Sequence, residues 1–370
     1  MSAQGHTTAP RARSRGRVLL VTVGIVLSLT MVEAVLQLAV YRGIPTRLAD
    51  PEAYAHPLCD AWYWRTLAQQ GPPSEGQIAH PTFGWIPSGE ARGEDGVWRP
   101  DQRVEGPPVV MVGDSFLAGT TPYRDRIAAV IQDDLTARGV AAQVEDHAAG
   151  GYGLDQILLR LKDRAQSLQS GTPVVIGIMT TDIDRAVLWE REAPKPRFEL
   201  GEGGGLILKT DHLADPMPAP EGRVLIWARW REFWAGMAAR DEGLPHADCR
   251  VAEKQVLAKA LLKSVTAVCV EAELRCLVVP FLRAEDLERP PGWREVLIQT
   301  QTTSLAQLSL RPLLKGTEQD LYGTDRHPTV AQNRFVGTAI GAWVARALGE
   351  SAITTDGIRP IHSLSGEDQP

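Results

Sequence analysis

Cysteine is scarce in this chain, with four in 370 residues, too few for the fold to depend on a disulfide framework. No Cys-x-x-Cys pair and no Cys/His cluster is present, so no zinc or other metal site and no cofactor is expected. Lysine and arginine do not cluster beyond the first seventeen residues, and the net charge is -6. Both features count against nucleic acid as a partner. No repeat of solenoid period is found. What is present is an ordinary apolar fraction of 44%, enough to bury a sizeable core. The length allows one large domain or two.

Residues 1–17 carry Arg11, Arg13, Arg15 and Arg17 and no acid. Val18–Val40 follow as a nearly unbroken apolar run whose only charge is Glu33. As a helix this run is about 34 Å long, enough for a bilayer core. An uncleaved transmembrane signal anchor over 18–40 is favoured over a cleaved signal peptide, whose apolar core is shorter, and over a buried core helix. The arginines assign 1–17 to the cytoplasm and the bulk of the chain to the other, periplasmic, side of the inner membrane. Glu33, near the far end, can reach the interface or a partner helix.

Residues 41–105 are rich in proline, glycine and polar groups and read as an extended lead-in. An alternating pattern begins near 106. Val109–Val112 is a buried strand, 123–138 a helix, Ala141–Ala148 a strand, 154–168 an amphipathic helix and Pro173–Met179 a third strand. A helix near 251–274, a strand at Cys276–Leu282, a helix near 291–300 and a short apolar segment at Ser304–Leu314 continue it. A last helix is expected from Pro328, placed in the first turn, to Leu348. Such alternation implies right-handed crossovers and a parallel sheet. Residues 185–250 interrupt the rhythm as an insertion, with a hairpin over Phe198–Lys209 and a helix over Val224–Ala239. That helix carries Trp227, Trp230, Phe233 and Trp234. An aromatic stripe at this spacing ordinarily lines a core; a membrane-surface face or a substrate wall is the sharper reading. The tail, 351–370, is expected to be disordered. Cys269 and Cys276 are expected as buried thiols, and Cys59 and Cys249, in loop-like stretches, as a candidate disulfide on the oxidising side.

Gly113-Asp114-Ser115 ends the first strand, where α/β sheets place ligands and catalytic groups. Asp114 is expected to hold this turn through main-chain hydrogen bonds. Just before the last helix stands Thr324-Asp325-Arg326-His327-Pro328. His327 can act as base to Ser115, and Asp325 can orient the imidazole.

These segments resemble the SGNH (GDSL-type) hydrolases, specifically their membrane-anchored bacterial kind. Gly113-Asp114-Ser115-Phe116 is similar to the family's first block and Asp325-x-His327-Pro328 to its last. Residues 146–153, Asp-His-Ala-Ala-Gly-Gly-Tyr-Gly, are similar to the second. The resemblance covers roughly 107–348. It implies a flavodoxin-like three-layer sandwich with a central, mainly parallel sheet over 106–350. It also implies Ser115 as nucleophile, with the Ser115 and Gly151 main-chain N–H groups in the oxyanion hole. The third block normally offers Asn-Asp, but here Thr180-Thr181-Asp182 stands, so Thr181 takes the place of an oxyanion-binding amide. Asp146 likewise stands for an asparagine and must be hydrogen-bonded or exposed. The implied activity is a serine esterase or acyltransferase acting on acylated surface polysaccharide or small esters. The alternative is a catalytically weak module of the same fold that binds glycan or serves an envelope assembly.

Overall fold

The computed structural model describes residues 11–42, 44, 50–57, 59–70, 76–89, 92–100, 104–191, 193–214, 219–241, 250–287, 289–314 and 321–349. They fall into two compact units, one drawn from Met1–Pro72 and Ala219–Asp248, the other from Pro73–Pro218 and Cys249–Pro370. The expected disordered tail and the residues before Arg11 lie outside the described part.

In the first unit, helix α1 spans Arg11–Tyr41 and α2 Ala61–Gln70. Arg17–Tyr41 is long and apolar enough to cross a membrane. Leu36, Val40, Tyr54, Ala55, Trp62, Leu225 and Ala228 form the small core of this unit. Residues 41–105, read from sequence as an extended lead-in, thus contain α2 here. The local cause is visible at its start, where the Asp60 carboxylate accepts the Trp62 N–H at 3.0 Å, and its tryptophans turn inward. Leu225 and Ala228 belong to helix α7, Leu225–Asp241. The aromatic stripe of α7 is not core, contrary to the ordinary expectation: Trp227, Trp230, Phe233 and Trp234 are all exposed.

The second unit begins with the hairpin β1 (Gln77–His80) and β2 (Gly84–Pro87). The α/β alternation follows. Its strands are β3 (Pro108–Val112), β4 (Gln143–Asp146), β5 (Pro173–Met179), β8 (Arg275–Phe281) and β9 (Ala306–Gln307). They pair in the order β4-β3-β5-β8-β9, all parallel, which is the doubly wound, flavodoxin-like order. The helices are α3 (Ser115–Ala118), α4 (Ile127–Ala137), α5 (Leu154–Ala165), α6 (Asp182–Arg185), α8 (Val251–Glu271), α9 (Ala284–Leu287), α10 (Trp293–Gln301) and α11 (Val330–Ala347). A second hairpin, β6 (Arg197–Leu200) and β7 (Leu206–Lys209), lies in the insertion.

Alternate strand residues serve two cores, as the pleat requires. Val110, Val112, Val174, Ile176 and Val278 face α5, α8 and the Phe83 and Trp85 side chains of the first hairpin. Val109, Met111, Val175, Leu277 and Val279 face α4 and α11. All seven residues of β5 are buried. The three-layer sandwich expected from sequence is therefore the observed one.

Two expectations are corrected. Pro328 is not in the first turn of α11, because Thr329 is the cap and its hydroxyl accepts the Gln332 N–H at 3.3 Å. Cys269 and Cys276 are not thiols but a disulfide. The end of α8 and the start of β8 are joined by a short turn that brings their Cα atoms to 6.1 Å, within disulfide reach. Cys59 is also disulfide-bonded; its expected pairing with Cys249 lies outside the described residues.

Glu145 at the end of β4 gathers Arg164 at 2.6 Å, Arg99 at 3.3 Å and His147 at 3.4 Å. Burial raises its pKa, but His147 and the two guanidinium groups outweigh this and hold it down at about 2. A depressed carboxylate stabilises the fold above its unfolded pKa of about 4.5, and that stability is lost as the pH falls toward 2. Urea unfolding at pH 6 and pH 3 should therefore differ by about 2 kcal/mol more in the wild type than in Glu145→Gln.

Candidate active site

The loop after β3 is shaped by close packing at the sheet end. A Cβ on Gly113 would lie 2.9 Å from the Gly177 carbonyl oxygen on β5 and equally close to Leu117. Only glycine lets the chain turn over β5 at this point. Asp114 then caps α3, its Oδ1 accepting the Phe116 N–H at 2.9 Å, as expected of a turn-holding residue. Ser115 becomes the first residue of that helix.

His327 comes from a loop closed on itself. Tyr322 and Pro328 form an antiparallel bridge, the Gly323 N–H donates to the His327 carbonyl at 2.9 Å, and Arg326 adopts a left-handed φ of 63°. The Tyr322 hydroxyl donates to the Leu282 carbonyl at 2.8 Å, pinning the loop just beyond β8. His327 Nε2 thereby lies 2.9 Å from Ser115 Oγ, with the Phe116 ring against the imidazole.

Asp325 is held by two donors, the His327 N–H at 3.1 Å and the Thr120 hydroxyl at 3.0 Å. Partial burial raises its pKa, but these hydrogen bonds and the nearby imidazole bring it below the usual carboxylate range. Its Oδ2 is 3.3 Å from His327 Nδ1. That distance suits charge attraction, but Nδ1 makes no hydrogen bond, so the contact lies off the N–H···O line.

Gly151 and Thr181 stand on the neighbouring loops at the same sheet end. Gly151, with φ 81°, occupies the third position of a turn closed by the Tyr152 N–H on the Ala149 carbonyl, where positive φ favours glycine. The Trp85 indole N–H fixes this turn by donating to the Gly150 carbonyl at 3.0 Å. Thr181 follows the end of β5 and precedes α6. Its hydroxyl is buried without a hydrogen-bond partner among the described residues. Ser115 thus meets His327 directly and Asp325 lies beside the imidazole, whereas no hydrogen bond joins Gly151 or Thr181 to Ser115 among the described residues.

Arg185 is the residue that sequence reasoning missed. Its Nη1 donates to Asp182 at 2.7 Å, to Asp114 at 2.8 Å and to the Tyr152 carbonyl at 3.0 Å. One guanidinium therefore ties together the loops that carry Ser115, Gly151 and Thr181. Burial pushes the Asp182 carboxyl well up, and the Asp114 charge adds to this against Arg185. The Asp182 Oδ2 also accepts the Met179 N–H at 2.8 Å. The available signal was the Asp182-x-x-Arg185 spacing, which places both on one side of a helical turn.

Asp146 is fully buried, and hydrogen-bonded as its burial requires. Its Oδ1 accepts the Ala148 N–H at 2.9 Å, and Arg92 lies 3.5 Å from Oδ2. Burial raises its pKa, and Arg92 opposes the rise.

No protein-family model and no curated protein matches the sequence. Among solved structures the chain is similar to TesA, at 14% identity and TM-score 0.34, over 65% of this chain and 98% of that one. It is similar to the psychrotrophic esterase EstA from Pseudoalteromonas sp. at 12% and 0.36, over 66% and 100%. It is similar to the acetyl xylan esterase AlAXEase at 14% and 0.34, over 64% and 98%.

Removing the guanidinium from between two buried carboxylates leaves uncompensated charge, a loss of about 3–5 kcal/mol. Arg185→Met should therefore unfold at markedly lower urea concentration, and adding Asp182→Asn should restore more than about 1 kcal/mol of the loss. Additive effects of the two substitutions would contradict the shared network.

Proposed function

We propose that the α/β unit is a serine ester hydrolase of the SGNH kind, working by acyl transfer through Ser115. The observation that carries this reading is the 2.9 Å contact between Ser115 Oγ and His327 Nε2, made by two loops at one end of a parallel sheet. His327 Nε2 takes the hydroxyl proton as Oγ attacks an ester carbonyl, then returns it to the departing alkoxide. Asp325, beside Nδ1, stabilises the imidazolium that forms between these steps. The oxyanion is received by the Ser115 and Gly151 N–H groups and by the Thr181 hydroxyl, whose lack of an internal partner leaves its proton available. Water releases the acyl group; a sugar hydroxyl in its place makes the protein an acyltransferase.

The same reading places α1 across the inner membrane and the hydrolase unit on the periplasmic side. Residues 1–17 hold arginines and no acid, which favours retention in the cytoplasm, and the Cys269–Cys276 disulfide suits an oxidising compartment. Acylated surface glycans and small esters are the substrates within reach there. Threonine at 181 favours one second reading, a catalytically weak module of the same fold that binds glycan or serves an envelope assembly.

A fluorophosphonate probe should label the wild type at Ser115 and leave Ser115→Ala unlabelled, with ester turnover lost in parallel. Thr181→Val should lower kcat about 100-fold with little change in KM, since it removes one oxyanion donor. Absence of labelling in folded protein sinks the hydrolase reading. Negligible wild-type turnover that Thr181→Asn restores favours the weak module.

A further inference from the structure

Among the described residues, the exposed aromatic face of α7 has no partner within its own unit. Trp227, Trp230, Phe233, Trp234 and Met237 recur at helical spacing on one side, and Trp227 is 68% and Trp230 54% exposed. The buried residues described in α7 are Leu225 and Ala228, in the first turn and on the opposite side. Tryptophan joins an apolar ring to an N–H donor and concentrates where hydrocarbon meets water.

The start of α7 is fastened to α1. The Glu33 carboxylate accepts the Leu225 N–H at 2.8 Å and the Ile226 N–H at 2.9 Å. Gln37 donates to Glu33 and to the Arg223 carbonyl, both at 2.6 Å. These bonds explain how an acid is tolerated in an apolar helix: it satisfies the first N–H groups of another helix, where the dipole favours negative charge.

The position of Glu33 fixes a depth. Counted from Arg17 at 1.5 Å per residue, it lies about 24 Å along α1. That is about 6 Å short of the far edge of a hydrocarbon core about 30 Å thick. Amphipathic helices rest about 5–10 Å into this boundary. The side chains of α1 change character at the same level. Val18–Val35 are exposed apart from the half-buried Glu33, and Leu36, Ala39 and Val40 are buried against the unit.

We propose that α7 lies in the outer interface of the membrane that α1 crosses, and that lipid is what covers its aromatic face. This rests on the membrane-spanning reading of α1 given above. Trp227, Trp230, Phe233 and Trp234 enter the acyl-chain boundary, and Arg231, flanking the stripe, meets the headgroups. The unit then holds the bilayer at two points, one helix through it and one along its surface.

The test uses the full chain in lipid nanodiscs of phosphatidylcholine and phosphatidylglycerol, assembled with one chain per disc and, in a parallel set, with two. The acyl chains are brominated either near the headgroup or near the methyl end. Three of the ten tryptophans lie on α7, so shallow bromines should quench roughly a fifth to a third of the tryptophan emission, and deep bromines less. A variant with Trp227, Trp230 and Trp234 all replaced by phenylalanine keeps the apolar face and should show no bromine-dependent quenching. Unquenched wild type in assembled discs, or quenching that persists in the variant, overturns the proposal. Emission that changes only when two chains share a disc overturns it in favour of self-association. A chain that stays soluble without entering discs overturns the membrane-spanning reading of α1 as well.

Discussion

A single buried guanidinium sets the geometry of the candidate site. Arg185 lies between the carboxylates of Asp114 and Asp182 and also holds the Tyr152 carbonyl. These three groups belong to the loops that follow β3, β5 and β4. A buried charge is costly unless it is paired and fully hydrogen-bonded, so each loop is tolerated only in the arrangement that satisfies the others. This favours one arrangement of the loops around Ser115 over a set of alternatives. The outer side of the site is tied differently, by the Thr120 hydroxyl on Asp325 and the Asn333 amide on Thr121, both at 3.0 Å. These link the segment after α3 to the His327 loop and to α11.

The sheet makes that convergence available. In the order β4-β3-β5-β8-β9, the strand carrying Ser115 sits between those leading to Gly151 and Thr181, and β8 leads toward the segment that anchors the His327 loop. Close contact between β3 and β5 depends on Gly113 and Gly177, since a side chain at either would strike Leu117. Leu117 in turn fills the core under α4 and α11. Packing beneath the loop and charge above it therefore act on the same few residues.

Much of this was legible in the chain because it is local or periodic. Apolar runs of four to seven residues separated by amphipathic stripes prescribe parallel strands and helices, and Ser115, Asp325 and His327 stand next to turn residues that disclose their loops. The three-layer order follows from these, as does the placing of Ser115 and His327 on loops. What was not legible depends on groups far apart in sequence. Arg185 reads as one more charge in a helical turn, and only the folded chain sets Asp114, 71 positions away, against it. Lys195 and Asp155 are both fully buried and paired, yet each reads as a surface charge. Cys269 and Cys276 look like core residues, which they are; their bond follows from the tight turn between α8 and β8. The stripe on α7 carries the spacing of a core face and yet is exposed, because periodicity tells which residues share a side and not what that side meets.

The two positions at which the chain departs from the motif pattern it resembles are physically different. At 146 an aspartate stands where the resemblance implies asparagine, and the added charge is answered: the Ala148 N–H takes one oxygen and Arg92 approaches the other. Arg92 also donates to the Gly96 and Asp146 carbonyls, so the compensating charge is itself fixed by the main chain. At 181 a threonine stands for the amide, and its buried hydroxyl has no hydrogen-bond partner among the described residues. A buried hydroxyl without a partner costs about 1–3 kcal/mol, and in the acyl transfer proposed above an oxyanion placed against it would remove that cost. Interactions absent in the resting state and present in the transition state are the ones that accelerate a reaction. The acid at 146 is thus compensated within the fold, whereas the hydroxyl at 181 is, on the mechanism proposed above, the donor left for the oxyanion.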